Sequence, residues 1–303
     1  MSPFPSVWDS SMLSTLKSCQ RKCQLEYVEH WRPQAPNVHL HAGKAFASGL
    51  EAARLAFYVE GKPVGDSVAL GLAALMHHYG DFECPSDSAK SLERMAGALE
   101  YYFDQYPLDS LDYQPIQLPG GKHGIEINFV EPLSVLHPIS QEPLLYCGRL
   151  DLACHFAGGV FIEDDKTTSS LGASWSKQWD LRSQFTGYCW GLEKVAGVKP
   201  SGVLVRGVSI LKTKYETQQA VSYRPQWLVD EWLKTTEYEL RRAIASWQEF
   251  GDSPWIKNFD HACGDWAGCI FKNVCASDNP QPWLEGYFEK RAWNPLTREE
   301  EVK

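Results

Sequence analysis

The apolar and polar positions divide the chain into a helical first third, a strand-rich middle and an irregular end. Residues 9–30 (DSSMLSTLKSCQRKCQLEYVEH) carry apolar positions at helical spacing, with Asp9 or Ser10 as the capping acceptor. Residues 42–59 and 65–79 read as two more helices parted by the turn Gly61-Lys62-Pro63, the second with Val68, Leu72 and Leu75 on one face. A fourth covers 87–105 and stops before Pro107, and the Pro-, Asp- and Gly-rich stretch 107–122 reads as a loop. From His123 the pattern turns β-like: HGIEINFVEPL, LLYCGRLDLACHF and VFIEDDKTT, the last two joined at Gly158-Gly159 as a hairpin. Residues 174–196 return to helix, VLVRGVSIL (203–211) is a strand, and 225–250 is a long helix with Trp227, Leu228 and Trp232 turned inward. The tail from 254 onward is rich in Cys and aromatics and has no regular pattern.

This order predicts a mixed α/β fold with helices packed on a central sheet. A chain of 303 residues suffices for one large domain, read as 1–303, with a helical part over 1–106, a core over 107–250 and a Cys-rich clasp and tail over 251–303. A net charge of −9 argues against a general nucleic-acid coating protein. It does not exclude carboxylates gathered around a cation beside a local basic groove. No run of 18 uncharged apolar residues exists, so no membrane span is expected. The N-terminal MSPFPSVWDSSMLSTLKSC lacks the basic start and apolar run of a signal peptide, so the expected compartment is the cytoplasm. In a reducing compartment, nine cysteines suggest metal ligands before disulfides.

The sharpest chemical feature is Gly148-Arg149-Leu150-Asp151 followed by Glu163-Asp164-Asp165-Lys166-Thr167. Asp164 and Lys166 are two residues apart on one strand and share a face, while Glu163 and Asp165 face the other way. A hairpin brings Asp151 near Asp164, and two adjacent carboxylates repel unless a cation joins them. Hard divalent ions such as magnesium or manganese take such oxygen ligands. The plain alternative is a set of exposed charges around a turn.

The runs GRLD and EDDKTT, then Gln184-Phe185-Thr186-Gly187-Tyr188, resemble the RecB-like branch of the PD-(D/E)XK nuclease superfamily. That branch includes CRISPR-associated adaptation nucleases and many phage-encoded exonucleases. Its pattern is G-R-x-D, then D-x-K-T, then Q-x-x-x-Y on the following helix, and all three occur here in order. The resemblance implies a restriction-endonuclease-like core, a mixed central sheet flanked by helices. Carried over by position, Asp151 and Asp164 look like metal ligands, Lys166 like the catalytic lysine, and Gln184 and Tyr188 like supports of the site and of DNA binding. Their spacing of four puts Gln184 and Tyr188 on one helix face.

One element departs from the pattern. Relatives carry G-x-x-x-H on an earlier helix, with Glu four residues on; here the stretch is Gly43-Lys44-Ala45-Phe46-Ala47, and Glu51 follows. Ala47 cannot bind a metal. Either Glu51 joins Asp151 and Asp164 as a ligand, or the site is weak or inactive. A solvated helix face is the plain reading of Glu51.

Cys263, Cys269 and Cys275 form C-x5-C-x5-C, and Cys19 and Cys23 share the first helix. The resemblance implies that Cys19 joins the C-terminal three around a 4Fe–4S cluster, with Cys23 as another fourth ligand and zinc as the alternative metal. The first C-terminal gap is wider than in relatives. The plain reading is reduced thiols packed beside Trp266 and Phe271. Arg149, Lys177, Arg182, Arg206, Lys212 and Lys214 flank the proposed site in sequence and are candidates for phosphate contact.

These observations imply a magnesium- or manganese-dependent DNA exonuclease that hydrolyses phosphodiester bonds of single strands or DNA ends. Recombination, repair or replication would be its setting, in the host cytoplasm if the gene belongs to a phage. The competing expectation is a catalytically weak or inactive protein that keeps the fold and binds DNA or a partner.

Overall fold

A computed structural model describes residues 2–259, 262–264 and 268–302. The chain begins with β1 (Val7–Trp8), α1 (Ser10–Ser18), α2 (Gln20–Cys23), β2 (Trp31–Pro33), α3 (Val38–Arg54), α4 (Val64–Tyr79) and α5 (Leu92–Gln105). There follow β3 (Ile125–Leu136), β4 (Pro143–Phe156), β5 (Gly159–Thr168), α6 (Ala173–Lys177), α7 (Ser183–Ala196), β6 (Gly202–Ile210) and β7 (Tyr215–Tyr223). The remainder holds α8 (Gln226–Phe250), α9 (Lys272–Ala276), α10 (Gln281–Tyr287), β8 (Phe288–Asn294) and β9 (Glu299–Val302). This is the expected mixed α/β layout, a central mixed sheet flanked by helices. No helix among the described residues is long and apolar enough to cross a membrane.

The chain forms two compact units, each discontinuous in sequence. One takes residues up to 36, 129–148 and 227 onward; the other takes 37–128 and 149–226.

In the second unit, β5 lies between β4 and β6, antiparallel to the first and parallel to the second, and β7 follows antiparallel to β6. The β4–β5 hairpin turns on Ala157 and Gly158, both at positive φ (47° and 78°), with Phe156 opposite Gly159. Positive φ at both central positions is the signature of a tight hairpin turn, and Gly159 is already in the strand. The helix expected over 174–196 is two helices, α6 and α7, and α7 stops at Gly197 in the left-handed conformation. Every residue of β6 is buried, as befits a strand covered on both faces. Phe46, Leu50, Leu75, Leu99 and Tyr102 of α3, α4 and α5 pack with Val208 and Ile210 of β6. The backbones of α3 and α4 come close because Gly49 meets Gly71: a Cβ added to Gly71 would lie 2.6 Å from the Gly49 carbonyl oxygen.

The back of β5 is held by charge. The Arg54 guanidinium of α3 donates to Glu163 at 2.5 Å and to Asp165 at 2.9 Å. Arg206, level with Asp165 on β6, pairs with Glu163 at 3.0 Å, and the Tyr102 hydroxyl donates to Asp165 at 2.7 Å. Glu163 is fully buried. Arg206 was a candidate for phosphate contact; it is instead turned into the interior, stacked over the Tyr113 ring at 3.8 Å.

In the first unit, β1 runs parallel to the start of β4, with Val7 opposite Leu145 and Trp8 opposite Tyr146. The helix expected over 9–30 breaks at Cys19, whose backbone is extended. The buried positions of α8, Val229, Trp232, Thr236, Leu240 and Ala243, set a stripe that leaves Trp227 outside it. Trp227 is 64 % exposed, against the inward orientation expected of it. The tail is not irregular: β8 pairs antiparallel with β2 and β9, and Phe271, Val274, Leu284 and Phe288 pack with Leu25 and Trp31.

Removing Arg54 would leave two buried carboxylates under-compensated. Arg54→Met is expected to cost about 3–5 kcal/mol of folding stability by urea denaturation. A loss below about 1 kcal/mol would show that the network is not a charge-compensating core.

Candidate active site

The other face of β5 carries Asp164 and Lys166. The β4–β5 ladder closes with Leu152 opposite Glu163, so Asp151 and Asp164 are the next residues past the last paired rung. Asp164 is 2 % exposed and pairs with the Lys166 ammonium. Burial, with the neighbouring Asp151 charge, pushes the Asp164 carboxyl up to about 7, although Lys166 opposes the shift. Desolvation works against the lysine's charge, but Asp164 and Asp151 together outweigh it and raise the Lys166 pKa. Asp151 is half-buried, and among the described residues its carboxylate accepts no hydrogen bond.

Helix α7 supplies the wall beside this pair. The Gln184 amide donates to the Tyr188 hydroxyl at 2.9 Å, which the four-residue spacing permits. Lys166 lies 5.9 Å from the Phe185 ring centre, and Tyr188 is close enough to act on its charge. Asp151, Asp164, Lys166 and Tyr188 therefore form one electrostatic neighbourhood, with Gln184 behind Tyr188.

Glu126 is a residue that sequence reasoning missed. It sits on β3 between the buried Ile125 and Ile127, at φ 50°, and its carboxylate pairs with Arg149 Nε at 2.8 Å. Burial, Asp151 and Glu51 push Glu126 up to about 8 against the pull of Arg149 and Arg54. The available signal was strand alternation: Ile125, Ile127 and Phe129 form the buried set, which leaves Glu126 on the opposite, polar face. Arg149 is thereby tied to a carboxylate rather than free for a phosphate. Glu51 stands close to Glu126 in this field, on α3 one turn beyond the exposed Ala47.

The residues can be tested against the expected metals. Among the described residues, no group of three or more His, Cys, Asp or Glu is arranged to hold a metal ion, so Glu51, Asp151 and Asp164 are not assembled as one ligand set. Magnesium does not require such a set: it binds through one or two carboxylates and keeps several waters. A buried Asp164 next to an Asp151 free of hydrogen bonds fits that demand. The four-cysteine cluster, as 4Fe–4S or zinc, finds no such support. Cys263 donates its thiol to the Asn258 carbonyl at 3.4 Å, and Cys19 accepts from the Asn258 N–H at 3.5 Å. Cys269 and Cys275 lie near Cys19, and burial raises both thiols, but among the described residues no ligand group forms. Cys23 is fully buried, and burial pushes its thiol up as well. Trp266 lies outside the described residues.

The model of the PD-(D/E)XK nuclease superfamily matches residues 10–276. The chain belongs to that superfamily. Magnesium or manganese dependence is general among PD-(D/E)XK nucleases. No curated protein matches this chain. Among solved structures, a protein from Eubacterium rectale named "putative exonuclease" is similar at 12 % identity and a TM-score of 0.46, covering 79 % of this chain and 80 % of that one. The structure of SSO0001 is similar at 12 % identity and a TM-score of 0.29, covering 77 % of this chain and 84 % of that one.

The raised carboxyls of this PD-(D/E)XK site have a consequence for stability. A group raised on folding contributes fully below its unfolded pKa, and the contribution is lost as pH rises through the folded value. For Glu126 that window runs from 4.5 to about 8. In EDTA, Glu126→Gln is expected to raise the melting temperature at about pH 9 and to lose most of that gain at about pH 5. An equal change at both pH values would mean that burial, with Asp151 and Glu51, does not raise the Glu126 carboxyl.

Proposed function

We propose that this chain is a metal-dependent DNA exonuclease, cleaving phosphodiester bonds of single strands or DNA ends during recombination, repair or replication. What supports the reading is the pairing of Asp164 with Lys166 on one face of β5, beside an Asp151 carboxylate that takes no hydrogen bond. Magnesium or manganese bound there would lower the pKa of a water molecule and offset charge on the phosphate. Asp151 and Asp164 are the residues that would hold it. Lys166, kept charged by both aspartates, has its ammonium poised for a phosphate oxygen or the attacking water. Tyr188, fixed by Gln184, closes the lysine's side and limits where the phosphate can lie. Glu51 adds a carboxylate at the Glu126 side and would orient water toward the cation. The choice of DNA ends follows the sequence pattern GRLD, EDDKTT and Q-x-x-x-Y alone.

A second reading, a weak or inactive DNA-binding or partner-binding protein, is favoured by one observation: Ala47 stands where many relatives carry His, and among the described residues no three-ligand group replaces it.

Labelled linear single- and double-stranded DNA incubated with magnesium, manganese or EDTA separates the two. Cleavage is expected with either metal and not in EDTA. Asp164→Ala and Lys166→Ala should each lower the rate by at least about a hundredfold, and Glu51→Ala by about tenfold or more. Cleavage that survives the first two substitutions would sink the mechanism, and full activity in Glu51→Ala would remove Glu51 from it. Binding of DNA without cleavage under either metal would establish the second reading.

A further inference from the structure

We propose that the segment joining α6 to α7 is a binding site for single-stranded nucleic acid, with Lys177 and Arg182 on two phosphates and Leu181 against a base between them. The inference rests on the nuclease reading above and names how that site holds its substrate strand.

The segment lies over the face of β5 that carries Lys166. Lys166 stands level with Gly207 on β6, and Gly207 with Gln218 on β7, so the three share a face. Gly207 carries no side chain because Trp175 of α6 lies on it: an added Cβ would come within 2.3 Å of Trp175 Cζ2. From there a row of rings runs on to the lysine. Trp175 packs on Trp179 at 5.4 Å, Trp179 packs on Phe185 at 5.6 Å, and Lys166 is the cation beside Phe185. The Lys166 side chain is still 32 % exposed, so the site is open to a strand lying along this wall.

The backbone of the segment is fixed from below. The Gln218 amide accepts from the Gly172 N–H at 2.7 Å and donates to the Gly172 carbonyl at 3.3 Å. The buried Arg224 guanidinium donates to the Trp179 carbonyl at 2.6 Å and to Thr186 Oγ1 at 3.0 Å. Trp175 and Trp179 are buried, whereas Lys177, Leu181 and Arg182 are exposed.

Charge decides what this surface takes. Of the basic residues that flank the motifs in sequence, Arg149, Arg206 and Lys214 answer to Glu126, Glu163 and Glu216. Among the described residues, the Lys177 and Arg182 side chains have no ion pair and no hydrogen bond. Asp180, the acid between them, is engaged elsewhere: it accepts from Ser222 Oγ at 3.4 Å, and its charge acts on Arg224. Two unanswered cations on a fixed backbone make a local anion site in a chain of net charge −9. A lone exposed leucine is ordinary. Leu181, however, is 77 % exposed and falls between these cations in the sequence. A single strand offers both chemistries at once, phosphates along its backbone and the open faces of its bases.

The test is salt-dependent binding of a fluorescently labelled single-stranded oligonucleotide in EDTA, where cleavage is stopped, using the full chain. Lys177→Gln with Arg182→Gln should weaken binding about tenfold at low salt and reduce the slope of log affinity against log salt by about 1.4, the value of two phosphate contacts. Lys177→Arg with Arg182→Lys should keep the slope. Arg241→Gln with Arg242→Gln removes the same charge from α8, where each arginine already pairs with a glutamate, and should leave slope and affinity unchanged. Leu181→Ala should weaken binding about threefold without changing the slope, and should have no effect on an abasic oligonucleotide. An unchanged slope in the Lys177 and Arg182 variant, or an equal fall in the α8 variant, would overturn the assignment while leaving the nuclease reading intact. A Leu181→Ala loss that persists on the abasic strand would overturn the base contact. Wild-type protein that binds no oligonucleotide would overturn both the assignment and the reading on which it rests.

Discussion

The structure depends on how β5 disposes of four consecutive charged residues. A strand in the middle of a sheet cannot send Glu163, Asp164, Asp165 and Lys166 to solvent; alternation drives two to each face. On the back face, two arginines and a tyrosine neutralise Glu163 and Asp165. On the front face, one lysine stands against Asp164 and Asp151 together. The back is balanced and the front is not, and the imbalance is what a nuclease site requires. Balance on the back fixes the strand; surplus negative charge on the front leaves a place for a cation.

The same division explains why Arg206 and Arg149 are poor candidates for DNA contact despite their positions in the sequence. Each is drawn to a carboxylate that the fold has already desolvated, Arg206 to Glu163 and Arg149 to Glu126. A basic residue near a motif is available to a phosphate only after the local acids have been satisfied.

How much of this was legible in the sequence depends on the range of the interaction. The GRLD and EDDKTT strands, their hairpin and the separation of Asp164 from its neighbours are local and periodic, and they could be read. Glu126 was legible only as a polar-face residue of β3, because its importance arises from pairing across β3 and β4 and from a backbone conformation that a single glutamate does not announce. Strand β7 was missed because YETQQAVSY is half-exposed and polar, with an apolar pattern too thin to mark an edge. The tail looked irregular because its small core, Phe271, Leu284 and Phe288, is completed by Leu25 and Trp31 from the start of the chain. Non-local completion of this kind leaves no periodic trace.

The cysteines show a related limit. Their spacing suggested that metal ties the N-terminal region to the tail, and the two segments are indeed joined, but by hydrogen bonds. The Gln24 side chain accepts from the Trp255 N–H at 2.8 Å and donates to the Ser253 carbonyl at 2.9 Å, and the Arg21 N–H donates to the Ile256 carbonyl at 3.0 Å. Gln24 is almost wholly buried, so its amide has no water to fall back on and each of these bonds is costly to lose. An amide matched in this way holds two distant segments in one register without any thiolate. Asn258 sits beside this joint, its N–H donating to Cys19 and its carbonyl accepting from the Cys263 thiol. The spacing of the cysteines pointed to the proximity of these segments, and a residue with no motif of its own helps to hold them together.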